Sequence, residues 1–298
     1  MKHHTLVLLT FFLTLRFIFP SSALAHQPRI VENNSIQVFE PETSQAFYGE
    51  LKGTPDEFVI NSDQDFRLYL GLLVPDLPGI KKDLSVQIFQ TIKGKEILLS
   101  TLDGTKFSWT PYFEEFGGDN YFWGPEFSAD DSVRGVALKG RLVPAGKYRI
   151  KVFSPSNLGK YSLAVGDIEA FPMKESLNAL KLVPQLKLKF FNEPWYRVIF
   201  SPMGGALVWG SFLLGSLFGF LWRLTVKSMN KKGRRLLPTN IGSQDRLIRF
   251  GLGILLFAWA IYTGWSPWLF FASGFCIFEG LFSWCGLYQL MGKNTCPV

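Results

Sequence analysis

The rhythm of apolar and polar positions changes along the chain. Between residues 30 and 170, apolar positions recur in short runs separated by turn residues. Lys147-Tyr148-Arg149-Ile150-Lys151-Val152 alternates charged and apolar side chains, as a strand with one wet face must. Ser154-Pro155-Ser156-Asn157-Leu158-Gly159 then turns the chain, and Tyr161, Leu163 and Val165 repeat the alternation. The pattern predicts strands over Ser35–Phe39, Phe66–Val74, Leu84–Gln90, Glu96–Ser100, Val133–Lys139, Lys147–Phe153 and Lys160–Gly166. Strands of this kind, with no strong helix between them, predict an all-β sandwich, jelly-roll-like, over residues 26–170.

Past residue 197 the pattern becomes continuously apolar. Val198–Trp222 holds no charged residue over 25 positions, and Phe250–Phe278 none over 29. Thr263-Gly264-Trp265-Ser266-Pro267 splits the second region, so Arg246–Tyr262 and Trp268–Met291 are expected as a tight helical hairpin. With a first span over residues 201–226, this predicts three transmembrane helices. In that first span Ser211, Gly215 and Gly219 form a small-residue stripe. Either a homodimer seam or packing against the chain's own hairpin would use it.

The N-terminus carries a shorter apolar run. Lys2, then Thr5–Leu15, Pro20 and Ala23-Leu24-Ala25 read as a secretory signal with its cleavage site over residues 1–25. An uncleaved anchor is the other reading, but Arg16 interrupts the run and about 20 apolar residues are needed to span. Residues 171–200 are expected as a juxtamembrane linker. There Lys174–Val183 could form an amphipathic helix ended by Pro184, while Lys187-Leu188-Lys189-Phe190-Phe191 and Pro194-Trp195-Tyr196-Arg197 serve as headgroup anchors.

Charge changes the picture by giving an orientation. The loop over residues 227–244 and its flank hold Lys227, Lys231, Lys232, Arg234, Arg235, Arg246 and Arg249 against Asp245, which marks that side as cytoplasmic. Residues 26–200 are then extracytoplasmic and the C-terminus cytoplasmic. The net charge of +7 divides accordingly. Residues 26–200 carry 20 basic and 22 acidic residues (−2), leaving 11 basic and 2 acidic elsewhere (+9). The basic balance reports topology, and no nucleic-acid partner is expected.

Candidate chemistry is sparse. The three His are His3, His4 and His26, and the three Cys are Cys276, Cys285 and Cys296. The long middle therefore lacks a His triad, a His-rich zinc site and a disulfide scaffold. His26 would be the mature N-terminus, able to bind copper through its amine and ring, although an accident of the cleavage site explains it as well. Phe107–Phe127 is dense in aromatics and carboxylates. Trp109, Tyr112, Glu114, Glu115, Asp119, Tyr121, Trp123 and Glu126 could form a ligand loop for a glycan or calcium. The same composition describes an inter-sheet connection capping the core, which the usual burial of aromatics favours. Paired carboxylates at Glu114/Glu115 and Asp130/Asp131 also invite a glycosidase reading, against which adjacent acids in a strand point to opposite faces.

Two resemblances add to this. Asn240-Ile241-Gly242, Asp245-Arg246, Arg249, Gly253, Gly280-Leu281-Phe282-Ser283-Trp284-Cys285-Gly286-Leu287-Tyr288, Gly292 and Thr295-Cys296-Pro297 resemble the YgaP-like bacterial inner-membrane domain of unknown function. The resemblance implies a two-helix membrane hairpin over residues 245–298. Some relatives join it to a rhodanese domain, which this chain lacks. Gly286 stands where that family usually has Pro, and Lys293-Asn294 where an apolar residue is usual. Leu142–Tyr148 with Gly159–Leu163 resembles the closing hairpin of pre-peptidase C-terminal-type domains, which implies a binding or spacing module and no catalysis.

Within the hairpin, Asn240 or Ser243 is expected to cap the second span, and Arg246 and Arg249 to sit at phosphate level. Gly292 could fold the tail back to bring Cys296 near Cys285, giving a thiol, persulfide or metal pair, or simply packing. Glu279 is expected to face the bundle or be protonated, with no nearby cation to pair it. The reading is a bacterial inner-membrane protein with a binding, sensing or assembly role at the envelope, no cofactor and no resident metal. Its partners are the bilayer and a second copy or an envelope protein. The alternative is a sulfur-handling protein using Cys285 and Cys296.

Overall fold

The computed structural model describes residues 26–296 apart from 116, 130–138, 171 and 230–238. The predicted signal (1–25), residues 133–138 of one predicted strand, Asp130, Asp131, Phe116, and Lys231, Lys232, Arg234 and Arg235 of the basic loop lie outside the described residues. The chain divides into a β-rich unit ending at Pro202 and a helical unit from Met203 onward.

Two sheets make up most of the β-rich unit. One has the order β1 (Gln27–Ile30), β3 (Gln45–Lys52), β13 (Leu158–Val165), β6 (Leu70–Pro75), β10 (Asp119–Phe127), β9 (Thr110–Glu114). The other runs β2 (Ser35–Val38), β4 (Asp56–Ser62), β12 (Gly146–Phe153), β7 (Ser85–Ile92), β8 (Lys95–Leu102). A short ribbon pairs β5 (Phe66–Leu68) with β11 (Arg141–Val143).

Alternation decides the core. Tyr148, Ile150 and Val152 point into the same apolar cluster as Tyr161, Leu163 and Val165 from the other sheet. Phe47 meets Phe58 edge-to-face at 5.2 Å, which joins the sheets. Within this core the Tyr161 hydroxyl donates to Asp56 Oδ2 at 2.6 Å. Tyr161→Phe keeps the ring but leaves a carboxylate without that donor. The expected cost is about 1–3 kcal/mol, read from the urea midpoint of the β-rich unit.

The predicted strand Phe66–Val74 is two strands. The break falls at Tyr69, which turns from the core to the opposite face of the six-stranded sheet. Strands β1, β3, β4, β9, β10 and β11 lie outside every strand the pattern predicts. β3 and β6 are buried on both faces, so their alternation is erased. The aromatic stretch expected as a connection is the β9–β10 hairpin, turning at Gly117-Gly118.

What covers the second face is the segment from Met173 to Phe191. Helix α1 (Met173–Gln185) runs through Pro184 rather than stopping there, and continues as a π-turn, Leu186–Phe190. Proline offers no N–H to the carbonyl four residues back, and the wider winding follows directly after it. Leu186, Phe190 and Phe191 pack with Tyr69, Leu73, Tyr121 and Ala164 into a second apolar cluster. Lys187, Phe190 and Phe191 are therefore buried against protein rather than presented to headgroups. The exposed Trp195, Tyr196 and Phe200 on α2 (Trp195–Phe200) keep the exposure an anchor needs.

The helical unit contains α3 (Pro202–Met229), α4 (Ser243–Tyr262), α5 (Pro267–Phe282) and α6 (Gly286–Met291). Among the described residues one helix, Gly204–Val226, is long and apolar enough to cross a membrane by length and composition, and Pro267–Phe282 is a shorter apolar helix. The expected helix Trp268–Met291 breaks at Ser283, where φ is 50°. Small residues set the spacing of α3 and α5. A Cβ at Gly215 would fall 1.9 Å from the Phe271 carbonyl oxygen, and one at Gly274 1.9 Å from that of Phe212. Ser216 Oγ donates to Gly274 O at 3.0 Å, and Ser273 Oγ to Gly253 O at 2.8 Å.

Candidate functional site

Five of the eight expected ligand-loop residues, Tyr112, Glu114, Asp119, Tyr121 and Trp123, line one cleft of about 60 Å³. It lies between the outer face of the six-stranded sheet and the α1–π-turn segment. Its origin is a shortage of side-chain volume. Ala46, Ser162 and Ala164 floor it, and Ala179 faces them from α1. Aromatic rings wall it: Tyr112 meets Trp123 at 5.1 Å, and Tyr121 meets Phe191 at 5.4 Å, both edge-to-face. The Tyr121 hydroxyl donates to the Tyr48 hydroxyl at 3.3 Å.

The other three candidates go elsewhere. Trp109 packs against the main core and donates Nε1–H to Gly104 O at 2.9 Å. Glu115 sits at the exposed hairpin turn. Glu126 accepts from the Tyr69 hydroxyl at 3.1 Å. Among the described residues no three His, Cys, Asp or Glu groups converge to hold a metal ion.

One charged cleft residue stands in the sequence only as a headgroup anchor. Lys187 is 1% exposed; its ammonium donates to Gly117 O at 2.6 Å and pairs with the Asp119 carboxylate. The signal was available: Val183, Leu186, Lys187 and Phe190 share one helical face, so a charge stood in an apolar stripe. Burial pushes Asp119 up to about 6, against the pull of the Lys187 charge. His26, the copper candidate, also lines the cleft, its Nδ1 hydrogen-bonded to the Ser44 hydroxyl. Burial, with Lys139 nearby, holds it below the usual imidazole range. Burial also raises both Tyr48 and Tyr121, so their hydroxyls stay protonated at neutral pH.

In the helical unit two of the three cysteines, Cys285 and Cys296, lie around the Thr239–Gly242 segment. Asn240 is fully buried but caps no helix. Its Nδ2 donates to Cys285 O at 2.8 Å, and Cys285 N donates to its Oδ1 at 2.7 Å. Gly242 is the N-cap of α4, without a side-chain cap. Gly292, at φ 67°, ends α6, and the tail folds back. There Thr295 N donates to Asn240 O at 3.2 Å, and Cys296 Sγ to Ile241 O at 3.2 Å. Cys285 is 2% exposed, and all three cysteines are free thiols. Gly286 has its own reason: a Cβ there would fall 1.7 Å from Trp222 Nε1.

Glu279 does have a cation. Arg249, 30 positions earlier on α4, pairs with it, so that arginine turns into the helical unit rather than standing at phosphate level. Arg246 turns the same way and donates Nε–H to Gly280 O at 3.0 Å. The small stripe is also occupied. Gly219, like Gly215, faces α5, at Phe278, and Ser211 is half-buried beside them.

No curated protein matches the chain. Among solved structures, it is similar to the pre-peptidase C-terminal domain of collagenase from Bacillus anthracis, at 8% identity and a TM-score of 0.24, covering 48% of this chain and 98% of that one. It is also similar to AvmM, described as catalysing macrocyclization in alchivemycin A biosynthesis, at 14% identity and a TM-score of 0.18, covering 46% of this chain and 62% of that one. Scores this low carry no argument. The sequence of residues 237–298 does: it matches the family described as the inner membrane protein YgaP-like transmembrane domain, which marks the protein as a membrane protein.

Proposed function

We propose that the chain is a multi-pass protein of the bacterial inner membrane whose β-rich unit is a ligand-binding module on the extracytoplasmic side. The observation that carries this is the cleft, where a carboxylate- and aromatic-bearing hairpin meets the segment that leads into the first membrane helix. Two sheets around one core support a sandwich of jelly-roll type. The basic loop after α3 supports the orientation, and α3 with an α4–α5 hairpin makes three spans, α4 carrying its charges at one end.

The sulfur-handling alternative rests on the two thiols lying around one segment, and the burial of Cys285 gives it no entry route. Alkaline phosphatase and a cytoplasmically active fluorescent protein, fused in turn to the C-terminus, test the orientation. Activity of the second alone is expected. Phosphatase activity would place the tail outside and overturn the proposal.

A further inference from the structure

We propose that the cleft takes a small organic ammonium cation, of the size of a methylated amine headgroup. This rests on the reading of the β-rich unit as a binding module and names the ligand class of that same site. Three observations point to a cation. First, the cleft presents ring after ring, Tyr48, Tyr112, Tyr121, Trp123 and Phe191, and aromatic faces attract cations. Second, the wall already accommodates one: the Lys187 ammonium lies 5.6 Å from the Phe191 ring centre, between the Asp119 carboxylate and the Gly117 carbonyl. Third, the lining carries two carboxylates, Glu114 and Asp119, against the single ammonium of Lys187.

Of the groups around the lining, Glu193 adds a further negative charge close enough to act on Asp119, Lys139 is a cation on the far side beside His26, and burial holds His26 below the usual imidazole range. Size limits the ligand. A water needs about 10–15 Å³ of such space, so a cleft of about 60 Å³ holds roughly four to six heavy atoms. A sugar ring with its hydroxyls exceeds that. The floor of Ala46, Ser162 and Ala164 suits methyl groups better than a hydroxyl-rich face.

The test is ligand-observed NMR on the full chain in nanodiscs, with tetramethylammonium, tert-butyl alcohol and isobutyrate as cationic, neutral and anionic probes of about five or six heavy atoms. Tetramethylammonium is expected to bind at least tenfold more tightly than the other two. Glu114→Gln keeps an acceptor for the Gly117 N–H, which Glu114 Oε2 receives at 2.6 Å, and should weaken the cation about fivefold. Tyr112→Leu, at a position 40% exposed and therefore tolerant, should weaken it similarly. Equal or tighter binding of the alcohol or isobutyrate, or cation binding that both variants leave unchanged, would overturn the ammonium assignment while leaving a binding cleft. No binding of any probe would overturn both.

Discussion

Lys187→Met is expected to cost the β-rich unit about 3 kcal/mol of stability at pH 8, and less as the pH falls. Methionine replaces most of the apolar stem, so the loss is electrostatic. It strands the Asp119 carboxylate, itself 7% exposed, and leaves the Gly117 carbonyl without its donor. Asp119 sits at about 6 in the folded chain because burial outweighs the attraction of Lys187, with Glu193 and Glu114 pushing the same way as burial. Its unfolded value is about 3.9, so between those values the folded state holds more protons. Stability contributed by this group therefore falls as pH rises from about 4 to about 6, then levels. Without Lys187 the carboxyl should titrate higher still, so the variant's deficit grows above about pH 6 and is level, at its smallest, below it.

Asp119→Asn should remove this contribution to the slope. Urea midpoints of wild type and both variants at pH 5, 6, 7 and 8 read this directly. His26 runs with the opposite sign, its folded value being depressed, but it is common to all three proteins and cancels in the differences. A deficit for Lys187→Met below about 0.5 kcal/mol at pH 8 would mean the pair is solvated rather than buried.

The second large effect is in the helical unit. Gly215→Ala should lower the thermal midpoint of the solubilised chain by more than about 10 °C, the equivalent of roughly 3 kcal/mol. One methyl group suffices, because its Cβ would stand 1.9 Å from the Phe271 carbonyl oxygen, and a backbone atom cannot step aside as a side-chain tip can. The helices α3 and α5 must separate, and Ser216 then loses its bond to Gly274 O. Gly210→Ala is the control, since a Cβ there meets nothing within 4 Å. An unchanged midpoint for Gly215→Ala, with altered oligomer size instead, would return the stripe to the homodimer reading.

Strands with one wet face were legible because their period survives. Lys147–Val152 and Tyr161–Val165 were read from alternation alone, and both are strands. Strands with two buried faces were not. Gln45–Lys52 shows no simple period because one face meets the main core and the other meets a segment more than 120 positions later. That segment reads as a headgroup anchor for the same reason. Phe190 and Phe191 near a membrane span fit a headgroup anchor as well as a sheet-packing face, and only the sheet's second apolar face decides between them.

The aromatic and acidic residues of the hairpin were found by composition, but composition could not sort Tyr112 and Trp123, which reach the cleft, from Trp109, which does not. The arginine partner of Glu279 lay hidden because pairing across a helical hairpin joins distant positions.

The cleft exists only if residues 173–191 are a fixed wall of the β-rich unit. Hydrogen exchange of the full chain in nanodiscs tests it most directly. The amides of Leu186–Phe191 should exchange as slowly as those of β13, and Lys187→Met should speed the former without touching the latter. Exchange of Leu186–Phe191 in the wild type as fast as in an unfolded chain would make the segment a tether. There would then be no cleft.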